Sequence, residues 1–139
     1  MTTKENFYQL MDRQTELALA TSVDNEPNVR IVNFYFNPQN NRIYFATFRG
    51  NDKVRELRAN SHVAFTTIPH SGNAHVKGRG IAQKSSQTIF DLADCFIQKI
   101  PDYRTTVEQA GKALLLYEIE FTTAIVTLDL DNQKKIKLG

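Results

Sequence analysis

The feature that most constrains the fold is a run of β-branched and aromatic residues in the first third of the chain. Residues 28–37 read NVRIVNFYFN, a composition that suits the half-buried surface of a pleated strand. Turn-forming residues follow at 38–41, and residues 42–47 then return with apolar side chains at alternate positions. This pattern predicts a β-hairpin and a fold built mainly on antiparallel strands.

Shorter apolar runs bounded by turn residues predict the other strands, at residues 16–22, 62–68, 74–84, 113–121 and 124–130. Helices are predicted over residues 4–13, 52–59, from Ser85 or Ser86 to about 99, and 105–110, the last ended by Gly111 as a C′ glycine. Gly78 and Gly80 predict a bend or a close backbone approach. A nearly closed antiparallel barrel of about six or seven strands, with three or four short helices around it, leaves few open edges.

Size and charge limit the classes of protein that this chain can belong to. Its 139 residues predict a single domain over 1–139, and the net charge is only +2. The densest basic run, residues 134–137, is interpreted as a solvated tail, so no nucleic-acid partner is expected. No apolar stretch is long enough to span a membrane, and no secretory signal is recognised. The single cysteine, Cys95, fits a reducing compartment, which favours a cytoplasmic location.

The sequence carries none of the common catalytic motifs, whether hydrolytic, nucleotide-binding or zinc-binding. His62, His70 and His75 have no zinc-ligand spacing, and one cysteine cannot complete a set, so no metal site is expected. The sequence therefore leaves the catalytic residues unknown.

A polar cluster lies between the second strand of the hairpin and the helix at 52–59. Thr47 ends the strand, and either Asn51 or Asp52 can cap the helix, whose first N–H groups could face an anion. Arg49 and Lys53 add donors of the kind that a phosphate monoester needs. A salt-bridged surface loop explains the same residues equally well.

Three segments in this order, NVRIVN at 28–33, IYFAT at 43–47 and GNDKVREL at 50–57, resemble the pyridoxamine 5′-phosphate oxidase-like family. The resemblance continues through residues 56–65 and 76–82 and extends from about Leu17 to Leu128. It implies an FMN-binding split β-barrel. It also implies a homodimer with the flavin at the subunit interface.

Residue by residue, the resemblance implies a cofactor site made of Arg30, Ile31, Val32, Asn33, Thr47, Asn51, Lys53 and His75. Arg30 and Lys53 match residues that bind the flavin phosphate, and Thr47 matches a threonine at the cofactor. Residues 31–33 match a segment whose backbone lines the isoalloxazine edge. His75 matches a residue that reaches the ring from the other subunit, although an exposed strand residue is an equally good interpretation.

Several positions depart from the family pattern. Asp52 stands where a second arginine is common, and Tyr35 replaces a lysine near the substrate of true vitamin B6 oxidases. Ala93 and Ile97 replace residues that would hold a substrate phosphate. Oxidation of pyridoxamine phosphate itself is therefore not expected.

The resulting hypothesis is an FMN-dependent oxidoreductase that acts on an unidentified small molecule or electron donor. Two alternatives stay open: a non-enzymatic barrel that binds or senses a flavin or haem, and a deazaflavin-dependent reductase.

Overall fold

The computed structural model describes residues 1–139 and contains nine strands and four α-helices. The strands are β1 (Glu16–Val23), β2 (Glu26–Asn33), β3 (Tyr35–Asn37), β4 (Arg42–Phe48), β5 (His62–Thr67), β6 (His75–Lys84), β7 (Leu114–Glu120), β8 (Thr123–Asp129) and β9 (Asn132–Lys137). The helices are α1 (Thr3–Arg13), α2 (Asp52–Ala59), α3 (Ala93–Lys99) and α4 (Tyr103–Ala110), followed by a 3₁₀ turn at Gly111–Ala113. None of the helices is long and apolar enough to cross a membrane.

All strand pairs are antiparallel, and they form one sheet in the order β2-β1-β5-β6-β7-β4-β3. The long strand β6 also pairs with β8, which in turn pairs with β9. The end strands β2 and β3 are not paired with each other, so the sheet curls without closing. The predicted mainly antiparallel β fold with a split barrel is confirmed.

Two apolar clusters hold the sheet and helices together. The larger one fills the barrel, where alternate residues such as Leu17 and Leu19 of β1 point inward and Phe7 and Met11 of α1 pack against them. The smaller one packs α3 and α4 against the outside of β4 and β7, with Phe96 at its centre. This second cluster positions α4 beside the end of β4.

Two predicted strand features differ from the structure. The single strand expected at 28–37 is two strands, because Phe34 is fully buried and its N–H donates to the Thr15 carbonyl at 3.0 Å. The chain there leaves β1 and crosses to β4. The basic run at 134–137 is not a solvated tail but part of β9, with its lysine side chains exposed. The total is therefore nine strands, not six or seven.

The helix predicted from Ser85 to 99 begins only at Ala93. The N–H of Ser85 donates to the Leu116 carbonyl at 2.9 Å, and Thr88 N–H donates to the Asp91 carboxylate at 2.8 Å, so turns occupy this stretch. Gly111 is not a left-handed C′ residue, because its φ is −52°. Its lack of a side chain instead admits the Phe90 ring, which a Cβ would meet at 2.7 Å.

Candidate functional site

A cleft of about 220 Å³ opens where β2, the end of β4, the turn before α2 and the start of α4 meet. Six of the eight predicted cofactor residues line it: Ile31, Val32, Asn33, Thr47, Asn51 and Lys53. The structure therefore brings together residues from three separate segments of the sequence.

Thr47 places an unpartnered hydroxyl on this cleft. The residue is 3% exposed, and its Oγ1 has no hydrogen-bond partner. An unpaired buried hydroxyl is destabilising by about 1–3 kcal/mol. The hydroxyl is thus available to a ligand in the cleft.

Lys53 contributes a cation in the first turn of α2. Its backbone N–H donates to the Asn51 side chain at 2.9 Å, so Asn51 is the N-cap, as one of the two predicted alternatives had it. The residue is 8% exposed, and its ammonium forms no salt bridge or hydrogen bond. Burial, and then the charge of Arg30, lower the pKa of this ammonium. A buried cation without a carboxylate favours an anionic ligand.

Arg30 does not line the cleft, because its guanidinium forms an ion pair with Glu56 of α2. The guanidinium also donates to Thr21 Oγ1 at 2.8 Å. Glu56 in turn accepts hydrogen bonds from Thr21 at 2.8 Å and from Asn28 at 3.1 Å. The hydrogen bonds from Asn28, Thr21 and Arg30 lower the pKa of Glu56, which keeps this carboxylate ionised.

The other predicted residues lie around or away from the cleft. His75 begins β6, where its Nδ1 is 2.6 Å from the Asn73 carbonyl, and it does not line the cleft. Arg49 is exposed, with its Nε 3.4 Å from the Lys112 carbonyl. Asp52 is exposed and pairs with Arg55 at 3.4 Å.

The start of α4 supplies cleft residues that the sequence did not indicate, chiefly Tyr103 and Thr106. Tyr103 is buried and stacks on Phe96, with ring centroids 4.8 Å apart. Burial raises its pKa to about 12, so the phenol stays protonated and can donate. The predicted helix began at 105, and nothing in the sequence links this segment to β4, so no sequence signal identified Tyr103.

A larger cavity, about 670 Å³, lies elsewhere, along β1, β5 and β6. It contains none of the eight predicted residues. The cleft itself is smaller than the ~300–1,000 Å³ that ligand pockets usually have. A ligand of flavin size would therefore extend beyond its walls.

The fold and the cleft define a split-barrel domain with cationic and hydroxyl donors at one helix N-terminus. The model of the family described as pyridoxamine 5′-phosphate oxidase-like matches residues 10–133. The chain belongs to this family, as the sequence resemblance predicted. No curated protein matches the chain in sequence.

Solved structures share the fold at low sequence identity. General Stress Protein 26 from Bacillus anthracis str. Sterne has a TM-score of 0.76 at 15% identity, over 99% of this chain and 100% of that one. A FAD-binding protein from Mesorhizobium loti has a TM-score of 0.66 at 14% identity, over 89% and 92%. A haem-binding protein from Mycobacterium smegmatis has a TM-score of 0.79 at 9% identity, over 99% of this chain but only 58% of that one.

Proposed function

We propose that the protein binds FMN in the cleft and acts as an oxidoreductase on a small molecule or electron donor. The observation that carries the proposal is the pair of unpartnered donors, Thr47 Oγ1 and the Lys53 ammonium, on one cleft beside a helix N-terminus. Phosphate esters are bound by donors of this kind. Family membership and the likeness to a FAD-binding protein also support a flavin.

The residues divide by what they offer to such a ligand. Lys53 and Thr47 would bind the phosphate, and the protonated phenol of Tyr103 can donate to another ligand oxygen. The backbone of residues 31–33 would lie along the ring. When bound, FMN supplies hydride or electron transfer, while the protein binds and orients it. No side chain is assigned a catalytic role.

We also propose that the protein works as a homodimer through the outer face of β2, β1, β5 and β6. Small residues Ala18, Ala20 and Ala64 lie on this face, in register with exposed Val29 and Ile31 of β2. Val29 and Ile31 are 64% and 60% exposed, and Ile31 also lines the cleft. A partner on this face would cover apolar surface and enlarge the small cleft.

His75 fits this arrangement because its side chain lies on the same face of β6 as that of Arg79. Arg79 pairs with Ala64, so this face is the outer one. From there it could approach the cleft of a second subunit, which is the role that the family resemblance implies. The cytoplasmic location expected from the sequence stays a prediction.

One alternative is a non-enzymatic barrel that binds haem or a flavin, supported by the likeness to a haem-binding protein. A deazaflavin-dependent reductase is the other alternative. These options differ in spectrum and in the ligand that binds.

The test is to measure the absorbance of purified protein and then titrate it with FMN, FAD, riboflavin and haemin. Under the proposal, FMN fluorescence or absorbance changes saturably, and NAD(P)H is oxidised only by the FMN-loaded protein. Binding of haemin alone would favour the haem alternative, and flavin binding without turnover of any donor would favour the non-enzymatic one. Protein that binds none of these ligands would overturn the proposal.

A further inference from the structure

We propose that Glu56 determines which phosphate charge the cleft accepts, because it pairs with Arg30 and leaves Lys53 as the single charged residue that lines the cleft. The cleft would thereby select a singly charged phosphate group over a doubly charged one. This inference rests on the proposed binding of a flavin phosphate in the cleft.

The carboxylate of Glu56 is held firmly in place. Thr21, Asn28 and Arg30 all donate to it, and the side chains of Arg30 and Glu56 are only 19% and 16% exposed. Largely desolvated ion pairs are screened weakly by solvent, and removing one partner leaves an uncompensated charge. A ligand phosphate would therefore have to compete with Glu56 for Arg30.

The charges near the cleft can be assigned one by one. Arg30 and Glu56 cancel each other, and exposed Asp52 pairs with exposed Arg55. Lys53 remains, close enough to Arg30 for that guanidinium to lower the pKa of its ammonium. The cleft lining thus offers one net positive charge, with exposed Arg49 outside it, whereas a phosphate monoester carries about −1.5 to −2 at pH 7.

A phosphate with one negative charge matches this site better than a dianion. A phosphate monoester carries one negative charge when it is protonated. A phosphate diester, and each phosphate group of an internal diphosphate, carries one negative charge at neutral pH. Glu56 would therefore reduce the affinity for the dianionic form of FMN without affecting riboflavin, which has no phosphate.

The test is Glu56→Gln, which removes the charge and keeps an acceptor for Thr21 and Asn28. At pH 7.5, where the monoester is mainly a dianion, FMN should bind about tenfold or more tightly to this variant, since Arg30 becomes available to the phosphate. Riboflavin affinity should change by less than about twofold. The matched control is Glu118→Gln, the same charge change at a largely buried carboxylate that pairs with Arg42, outside the cleft. It should leave both affinities unchanged.

Two outcomes separate this inference from the proposed function. If FMN binds both proteins but binds Glu56→Gln no more tightly than the unmodified chain, the role of Glu56 is wrong and the flavin site stands. If neither protein binds a flavin, the proposed function is wrong. Phenyl phosphate titrated against the backbone amides of Asn51 and Lys53 by NMR then decides the role of Glu56. Tighter binding by Glu56→Gln supports it, and equal or weaker binding overturns it.

Discussion

Gly80 in β6 lies against the carbonyl oxygen of Glu120 in β7 so closely that a Cβ at this position would overlap that oxygen. Such a Cβ would also come within 2.9 Å of Ile119 Cγ2. The sequence pattern predicted either a bend or a close backbone approach at Gly78 and Gly80, and the structure has the close approach at Gly80. The approach allows β6 to pair with β7 over Ile81–Lys84.

We expect Gly80→Ala to destabilise the protein, because the neighbouring backbone must move to admit a methyl group. The expected loss is about 1–3 kcal/mol in the free energy of unfolding, the usual range for overpacking. Urea unfolding followed by circular dichroism measures it. Gly50→Ala is the control, since a Cβ there meets nothing within 4 Å. Equal stabilities of the two variants would contradict the steric explanation.

Lys53→Met should weaken FMN binding and leave riboflavin binding almost unchanged. The variant removes one charge-assisted hydrogen bond to the phosphate, worth about 1.5–3 kcal/mol, which corresponds to roughly tenfold or more in Kd. It also removes a buried ammonium without a partner, so the fold should not lose stability. Fluorescence titration with both ligands and a thermal melt give the two measurements. Equal losses of affinity for FMN and riboflavin would show that Lys53 does not bind the phosphate.

Asp52→Arg should strengthen FMN binding, because it replaces a carboxylate with a cation in the first turn of α2, between the cleft residues Asn51 and Lys53. The side chain of Asp52 is 80% exposed, so screening limits the gain to about two- to fivefold. The gain should shrink when FMN is titrated at about 0.5 M salt instead of 0.05 M. Weaker binding by this variant at low salt would show that the ligand anion does not face Asp52.

Val29→Glu should convert the proposed homodimer into a monomer. It introduces a charge on the outer face of β2, where two subunits would bury it. The mass measured by light scattering should fall from about twice the 15.9 kDa of one chain to the mass of a single chain. Leu130→Glu, at an 89% exposed residue between β8 and β9, is the matched control and should stay dimeric. A monomeric unmodified protein at micromolar concentration would contradict the dimer.

Lys99 should make stability depend on pH. Its ammonium donates to the Met11 carbonyl at 3.0 Å and lies 3.6 Å from the centre of the Phe34 ring. Burial lowers its pKa from 10.5 to about 7, and Asp12 offsets this only in part. The unfolded chain therefore holds more protons than the folded one between pH 7 and 10.5, so stability rises with pH in that range.

The measurement compares the unmodified protein with Lys99→Met. Between pH 7 and 10 the unfolding free energy of the unmodified protein should rise relative to that of Lys99→Met by up to about 1.4 kcal/mol per pH unit. The difference should be flat below about pH 6, where both states hold the proton. Lys84→Met, at an exposed residue, is the control. A difference that does not change with pH would show that Lys99 keeps its proton throughout.

Local patterns predicted most elements, because strand alternation and helix caps act over a few residues. The break at Phe34 was missed because it depends on contacts that are not local in sequence. Phe34 is buried, and its N–H donates to the carbonyl of Thr15, which precedes β1. β9 was missed because its lysines gave no apolar alternation, and pairing with β8 supplies its order.

In the candidate site, too, local features could be predicted from the sequence and contacts between distant segments could not. Thr47, Asn51 and Lys53 lie within seven residues of each other, so their shared turn could be predicted from the sequence. Tyr103 reaches the cleft only because Phe96 and its neighbours pack α4 beside β4. The pairing of Arg30 with Glu56 depends on two elements that are distant in sequence, and no local pattern reveals it.

The three pairings of β6 also govern how the molecule can open. One of its edges pairs with β5, and the other pairs with β8 near its start and with β7 near its end. The N-terminal and C-terminal halves of the chain are joined both through β6, which pairs with β5, and through the pairing of β4 with β7. Because β6 is paired along both of its edges, its central amides should exchange with solvent deuterium only through cooperative unfolding of the whole sheet.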